Sequence, residues 1–160
     1  MSKIFAIVTP TSLALREAVV RTAADRAARY RRVFEAPNDL EHRRVLADWL
    51  IEQGDPHGEF IAVQFEHSRK ARLRAGKLLH RHRAHFLGPL SAWVEPRDDE
   101  RWEHGFLTHG ALRWSATLAH EPALATLRSV RLVATDLSAV ESRWLHDVVV
   151  TPTARASFHT

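Results

Sequence analysis

Asp39 to Gln64, reading DLEHRRVLADWLIEQGDPHGEFIAVQ, constrains this chain more than any other stretch. Val45, Leu46, Trp49 and Leu50 recur at three- and four-residue steps, the spacing of one buried helix face. Gly54 can adopt the left-handed backbone that ends a helix. Asp55 can cap a new helix, and Pro56 suits its first position, where no backbone N–H is required. Phe60, Ile61 and Gln64 continue that second helix. The stretch predicts two helices meeting at a corner fixed by Gly54, Asp55 and Pro56, with Trp49 packed inside.

Those residues resemble the repeat-companion domain, a short bacterial domain found ahead of leucine-rich repeats. Val45, Ala47, Asp48, Trp49 and Leu50 match its first block; Gly54, Asp55, Pro56, Gly58, Glu59, Phe60, Ile61 and Gln64 match its second. The chain departs from the pattern at Leu46, where Tyr is usual, and at His57, where Arg is usual. The resemblance implies a helical module that accompanies a repeat-type binding surface and has no reaction attached to it.

Composition narrows the classes. At 160 residues, 45% apolar and with five Trp, the chain can bury a real core. It has no cysteine, which excludes disulfides, thiolate catalysis and Cys-based zinc, and fits a cytoplasmic protein. No apolar run reaches the length of a membrane span, so no membrane partner is expected. Ile4 to Val8 is too short for a signal-peptide core and reads as a short strand. The net charge of +4 is uneven: residues 1–94 carry 16 basic and 10 acidic side chains, residues 95–160 carry 7 and 9. The cluster Glu95 to Glu100 then reads as a linker. The expected division is a helical module over 1–94, a linker over 95–101 and a βα portion over 102–160.

In the first part, Thr11 or Ser12 caps a long helix ending near Glu35, with Leu13, Val20, Ala23, Ala27, Tyr30 and Phe34 as its apolar stripe. Asn38 or Asp39 caps the next, with Glu41 at capping-box spacing from Asn38. The helix from Pro56 is expected to reach about Arg74, where Gly76 interrupts it, and another spans Lys77 to Leu87. This amounts to a bundle of about four helices.

The pattern changes after Arg101. Leu112-Arg113-Trp114, Val130-Arg131-Leu132 and Val148-Val149-Val150 are strand-like pieces at a constant offset of 18. Leu124, Leu127, Val130, Leu132, Thr135 and Leu137 fit a leucine-rich-repeat spacing, in which an LxL pair flanks an outward residue on a strand. Segments near Thr117 to Leu127 and Ser138 to His146 would return the chain as short helices. Arg101 to Leu107 is either an initial strand or a hairpin arm with Ala111 to Trp114. Thr151 to Thr160 reads as a frayed tail. The expected fold class is α+β: a helical bundle followed by a short leucine-rich-repeat-like portion.

Several groups invite a chemical reading. Asp48, Asp55 and Glu59 could form a carboxylate cluster, but a cap and arginine partners explain them without a nucleophile nearby. His80, His82 and His85 lack the i, i+4 spacing and intervening Glu of a zinc helix, so no metal or cofactor is expected. Arg69, Lys70, Arg72, Arg74, Lys77, Arg81 and Arg83 form a basic patch with no acid between them; it is either a solvated face or a phosphate-binding one. Trp93, Trp102 and Trp114 surround the junction. Trp144 is either core or an exposed anchor, and Val148, Val149 and Val150 form the last sheet edge. No catalytic residues are expected. The leading expectation is a non-catalytic interaction or scaffold module whose edge takes another protein or a second copy of the chain. The alternative is a nucleic-acid-binding regulator using residues 69–83.

Overall fold

The computed structural model describes residues 10–96, 99–133, 144 and 149–152. Among them are four α-helices followed by a mixed sheet, an α+β arrangement. The helices are α1 (Pro10–Glu35), α2 (Leu40–Glu52), α3 (Pro56–Val63) and α4 (Arg69–Leu87). The strands are β1 (Val94–Glu95), β2 (Arg101–Glu103), β3 (Phe106–Arg113), β4 (Ser129–Val133) and β5 (Val149–Pro152).

Local chemistry sets the helix ends. Asp39 caps α2 by accepting from the Glu41 N–H; Asn38 does not supply the cap. Asp55 caps α3 by accepting from the His57 N–H, and Pro56 is the first helical residue. Gly54 precedes it at φ 71°, the left-handed turn foreseen there. The helix from Pro56 stops at Val63, not near Arg74, because Ser68 caps a fresh helix by accepting from Ala71 N–H. Gly76 lies inside α4 and does not interrupt it; the departure from helical backbone falls at His82 instead. A lone helical glycine costs only about 1 kcal/mol. The surrounding Arg, Lys, Leu and Ala favour helix strongly enough to absorb that.

Two buried clusters organise the core. Val33, Leu46, Ala47, Leu50, Ile61 and Phe106 form the one between α1, α2 and α3. Leu87, Leu90 and Val94 join Leu107, Leu112, Leu124, Val130 and Leu132 in the other, so the end of the helical region and the sheet share a core. Phe34 packs against both clusters. Val45 is exposed, not on the buried face of α2, whereas Arg43 is buried in its stead. Leu13 and Val20 are exposed as well, so the apolar stripe of α1 packs only in its later half.

β3 is the central strand. β1 and β2 pair with it antiparallel, β4 pairs with it parallel, and β5 continues the parallel pairing beyond β4. Arg101 to Glu103 is a hairpin arm, but its partners are Phe106 to His109; Ala111 and Leu112 pair with β1. The return from β3 to β4 is made by two 3₁₀ turns, Leu118–His120 and Pro122–Thr126, not α-helix. His109 pairs with Ser129 and Ser129 with Val149, a repeat of 20 residues, not the 18 suggested by the similar tripeptides. Both spacings are even, so inward residues stay inward; the two-residue slide brings Leu112 against Leu132, both fully buried. Thr151 and Pro152 belong to β5, not to a tail. Ile4 to Val8, Val148, the tail beyond Pro152 and the return segment near Ser138 to His146, apart from Trp144, lie outside the described residues.

Gly58 permits the close approach of α3 to α2: a Cβ there would sit 2.6 Å from the Ala47 carbonyl oxygen and 2.7 Å from the Ile51 nitrogen. Backbone cannot move aside as a side chain can, so Gly58→Ala is expected to destabilise by about 1–3 kcal/mol in urea unfolding. Gly76→Ala meets open space. It should stabilise by about 0.5–1 kcal/mol through helix propensity and a less flexible unfolded chain. Equal effects of the two substitutions would contradict this placement.

Candidate functional site

The densest polar arrangement grows from the helix corner. With Gly54 turning the chain, the Asp55 carboxylate points back over the start of α3. Its Oδ1 accepts from His57 N–H and from His85 Nε2, each at 2.8 Å, and its Oδ2 accepts from Arg26 on α1. Burial would raise the Asp55 carboxyl, but the hydrogen bonds from His57 N–H, His85 and Arg26 hold it below its ordinary value. One carboxylate thus joins α1, α3 and α4.

The imidazole of His57 runs the other way, into the interior, and is 2% exposed. Nε2 lies 2.8 Å from the Gly105 carbonyl oxygen and Nδ1 lies 2.7 Å from the Tyr30 hydroxyl. A carbonyl can only accept, so Nε2 carries the proton; Nδ1 then accepts from Tyr30. Phe86 stacks on the ring at 4.9 Å between centroids, and Phe106 packs at 5.4 Å. Burial pushes the His57 pKa down to about 4 and that of Tyr30 up to about 12. Both groups are therefore neutral near pH 7.

Gly105 belongs to the two-residue turn between β2 and β3, where His104 and Gly105 take φ of 47° and 89°. Positive φ at both positions matches the twist of a tight hairpin. The helical corner holds this turn by its backbone. Gln64 Oε1 accepts from Gly105 N–H at 2.6 Å, and Arg43 donates to the Glu103 and Pro37 carbonyls at 2.7 Å each. A Cβ on Gly105 would fall 2.2 Å from Ile61 Cγ1, so the contact needs glycine for space as well as for φ. Arg43 is buried beneath Phe106, and burial, reinforced by Arg128, lowers its pKa to about 10.

An apolar cavity of about 390 Å³ opens beside this network. Ala23, Ala27, Tyr30 and Phe34 of α1 line one wall, with Leu90 and Ala123 among the residues opposite. Arg26 and His85 stand at its polar end. Neither His57 nor Asp55 offers an uncommitted group to a substrate: both imidazole nitrogens and both carboxylate oxygens have internal partners. Among the described residues no group of three His, Asp or Glu side chains is placed to hold a metal ion. Nor is any helix among them long and apolar enough to cross a membrane.

The other residues singled out from the sequence are scattered. Trp49 is half-buried with the Arg29 guanidinium 5.4 Å from its ring. Glu59 pairs with Arg74, as an arginine partner near the corner, while Asp48 is exposed on α2. In the basic patch, Arg74 and Arg83 are tied to Glu59 and Glu100, and Arg72 donates to the His67 carbonyl. Arg69, Lys70, Lys77 and Arg81 are exposed. Trp93, Trp102, Trp114 and Trp144 pack half-buried against the sheet core. Val149 and Val150 lie in β5. Sequence reasoning missed Arg26 and Arg43. Arg43 carried a signal: with Leu46 and Leu50 it falls at i, i+3 and i+7, on the buried face.

Compared with known protein families, curated proteins and solved structures, the chain matches none.

The neutral His57 predicts acid sensitivity. The unfolded chain takes up this proton near pH 6.5, the folded chain only near pH 4. Between those values the unfolded state binds more protons, so stability falls as pH falls. The loss attributable to His57 is on the order of 3 kcal/mol by pH 4. Denaturant unfolding of the protein and of His57→Gln across pH 7 to 4 should show the wild-type advantage shrinking by about that amount. A constant difference would mean that His57 is not held neutral.

Proposed function

We propose that the chain is a non-catalytic interaction module of the repeat-companion type, cytoplasmic and bacterial as that family implies. In this reading a helical module over 1–94 is joined through 95–101 to a short leucine-rich-repeat-like portion over 102–160. The observation that carries it is the parallel array of β3, β4 and β5 at a constant 20-residue register, with Leu124, Leu127, Val130 and Leu132 all buried at the repeat spacing. Among the described residues β5 pairs only with β4, so its outer side presents backbone donors and acceptors. An unpaired edge is a template for another strand. The corner's role is mechanical: Arg43, His57 and Gln64 fix the hairpin from which β3 starts, and β3 sets the register of the strands after it.

The expected outcome of affinity capture with the purified chain is a defined protein complex that survives nuclease and is lost with Val150→Pro, which removes a backbone N–H from β5. A complex indifferent to that substitution would overturn the edge as the binding surface.

A second reading uses α4. Arg69, Lys70, Lys77 and Arg81 are exposed, and none makes an ion pair among the described residues, so part of the basic patch remains open to phosphate. On this reading the chain binds an oligonucleotide with an affinity that falls steeply with salt, and Arg72→Glu with Arg81→Glu abolishes binding. Absent or salt-insensitive binding in an electrophoretic shift titration would dismiss it.

A further inference from the structure

Arg43 has a property that its hold on the hairpin does not use. The residue is 2% exposed, and its guanidinium donates to two backbone carbonyls, those of Pro37 and Glu103. Among the described residues no carboxylate hydrogen-bonds to it, and its Nε is enclosed without a partner. A buried cation normally has an anion against it, because water no longer stabilises the charge. The Glu103 carboxylate lies instead 3.7 Å from a second guanidinium, that of Arg128.

A polar pocket of about 250 Å³ opens at this point. The loop between α1 and α2 supplies Pro37 and Asn38, α2 supplies Arg43, and the approach to β4 supplies Thr126, Leu127 and Arg128. The pocket therefore lies between the helices and the sheet. The Thr126 hydroxyl is turned to the Leu107 and Ala123 carbonyls, which leaves the two guanidiniums and the Asn38 amide as the main side-chain donors. Asp39 does not line the pocket; its carboxylate accepts from Glu41 N–H. The local field is positive. Burial and then Arg128 lower the Arg43 pKa, with Glu103 opposing. His104 is lowered in the same way, by burial first and then by Arg43, with Arg128 and Arg44 adding to it and Glu103 opposing.

We infer that this pocket binds a small oxyanion, of the size of phosphate or a short carboxylate, held by Arg43, Arg128 and Asn38. An oxyanion accepts several N–H bonds at once and matches the planar fork of a guanidinium. The volume lies below the range of about 300–1,000 Å³ usual for drug-sized ligands, so the ligand is compact. Arg128 is suited to closing on it. Its backbone N–H is fixed to the Thr108 carbonyl at 2.8 Å, while its side chain is 56% exposed. An exposed ion pair as long as the one to Glu103 is weak, so the guanidinium is free to turn to a ligand. The bound anion ties the α1–α2 loop to the start of β4. The site uses neither the β5 edge nor α4, and it holds or fails independently of both readings above.

Isothermal titration calorimetry of the full chain with inorganic phosphate and, separately, with succinate distinguishes the two sources, in chloride buffer at constant ionic strength. At least one is expected to bind saturably at about 1 mM or tighter, and to raise the unfolding temperature with the logarithm of its concentration. Phosphate also stabilises proteins by exclusion from their surfaces, so the variants decide. Arg43 is left in place, since its substitution also releases the hairpin. Arg128→Gln should weaken binding roughly tenfold or more without changing the far-ultraviolet circular dichroism. Asn38→Asp sets a carboxylate in the pocket. It should raise the unfolding temperature of the ligand-free chain and abolish binding. Arg72→Glu with Arg81→Glu, on α4, should leave binding intact. Failure of both anions to bind, or binding that survives Arg128→Gln or Asn38→Asp, would overturn the inference. Binding lost with the α4 variant alone would assign the anion to that helix instead.

Discussion

The hydrogen bond between the His57 imidazole and the Gly105 carbonyl joins the two halves of this protein. A buried polar ring is costly unless its nitrogens are satisfied, and here one donates to a turn backbone while the other accepts from Tyr30. The ring therefore fixes three things together: the approach of α1, the start of α3 and the height of the β2–β3 hairpin. Gln64 and Arg43 hold the same turn, at the Gly105 N–H and at the Glu103 carbonyl. Two residues of the turn, Glu103 and Gly105, thus receive three side chains from the helices, those of Arg43 and His57 buried and that of Gln64 half-buried. The pairing order of the sheet follows, since β3 begins at Phe106, the residue after the gripped glycine.

Glycine is needed at both ends of this arrangement for reasons of space. Gly58 lets α3 lie against the backbone of α2, and Gly105 lets the hairpin lie against Ile61. Ile61 is on α3, so the two close approaches act in series: α2 on α3, then α3 on the turn. A bulkier residue at either point would lift the hairpin away from the corner and stretch the short bonds that His57 and Gln64 make to it.

The corner was legible in the sequence because its chemistry is local. A left-handed glycine, a capping carboxylate and a proline at the first helical position are each decided by their immediate neighbours, and Gly54, Asp55 and Pro56 behave accordingly. The α+β class was legible for a similar reason, the change of period after Arg101. The strand register was not. Similar tripeptides suggested 18, whereas the packing of Leu112 on Leu132 sets 20, and that contact is a property of two strands together. The end of α3 was missed because Gly76 drew the break that Ser68 makes. Arg26, Arg43 and Tyr30 were unreadable as a site because their partners, Asp55, Glu103 and His57, lie 27 to 60 residues away.

The charge balance read from the sequence also changes meaning in the fold. Arg26 and Arg43 are absorbed by the corner, Arg74 and Arg83 by acidic partners, and Arg131 by Asp99. Several of the arginines behind the net positive charge are thus structural. Nor is hydrophobicity spread evenly. The later half of α1 is held by Val33, Phe34 and Tyr30 against both cores, whereas residues 13–25 have no such support. An unsupported helix in water depends on intrinsic propensity, and Ala, Leu, Arg and Glu supply it there. Valine adds nothing to that propensity, and exposed valines and leucines gain nothing from water.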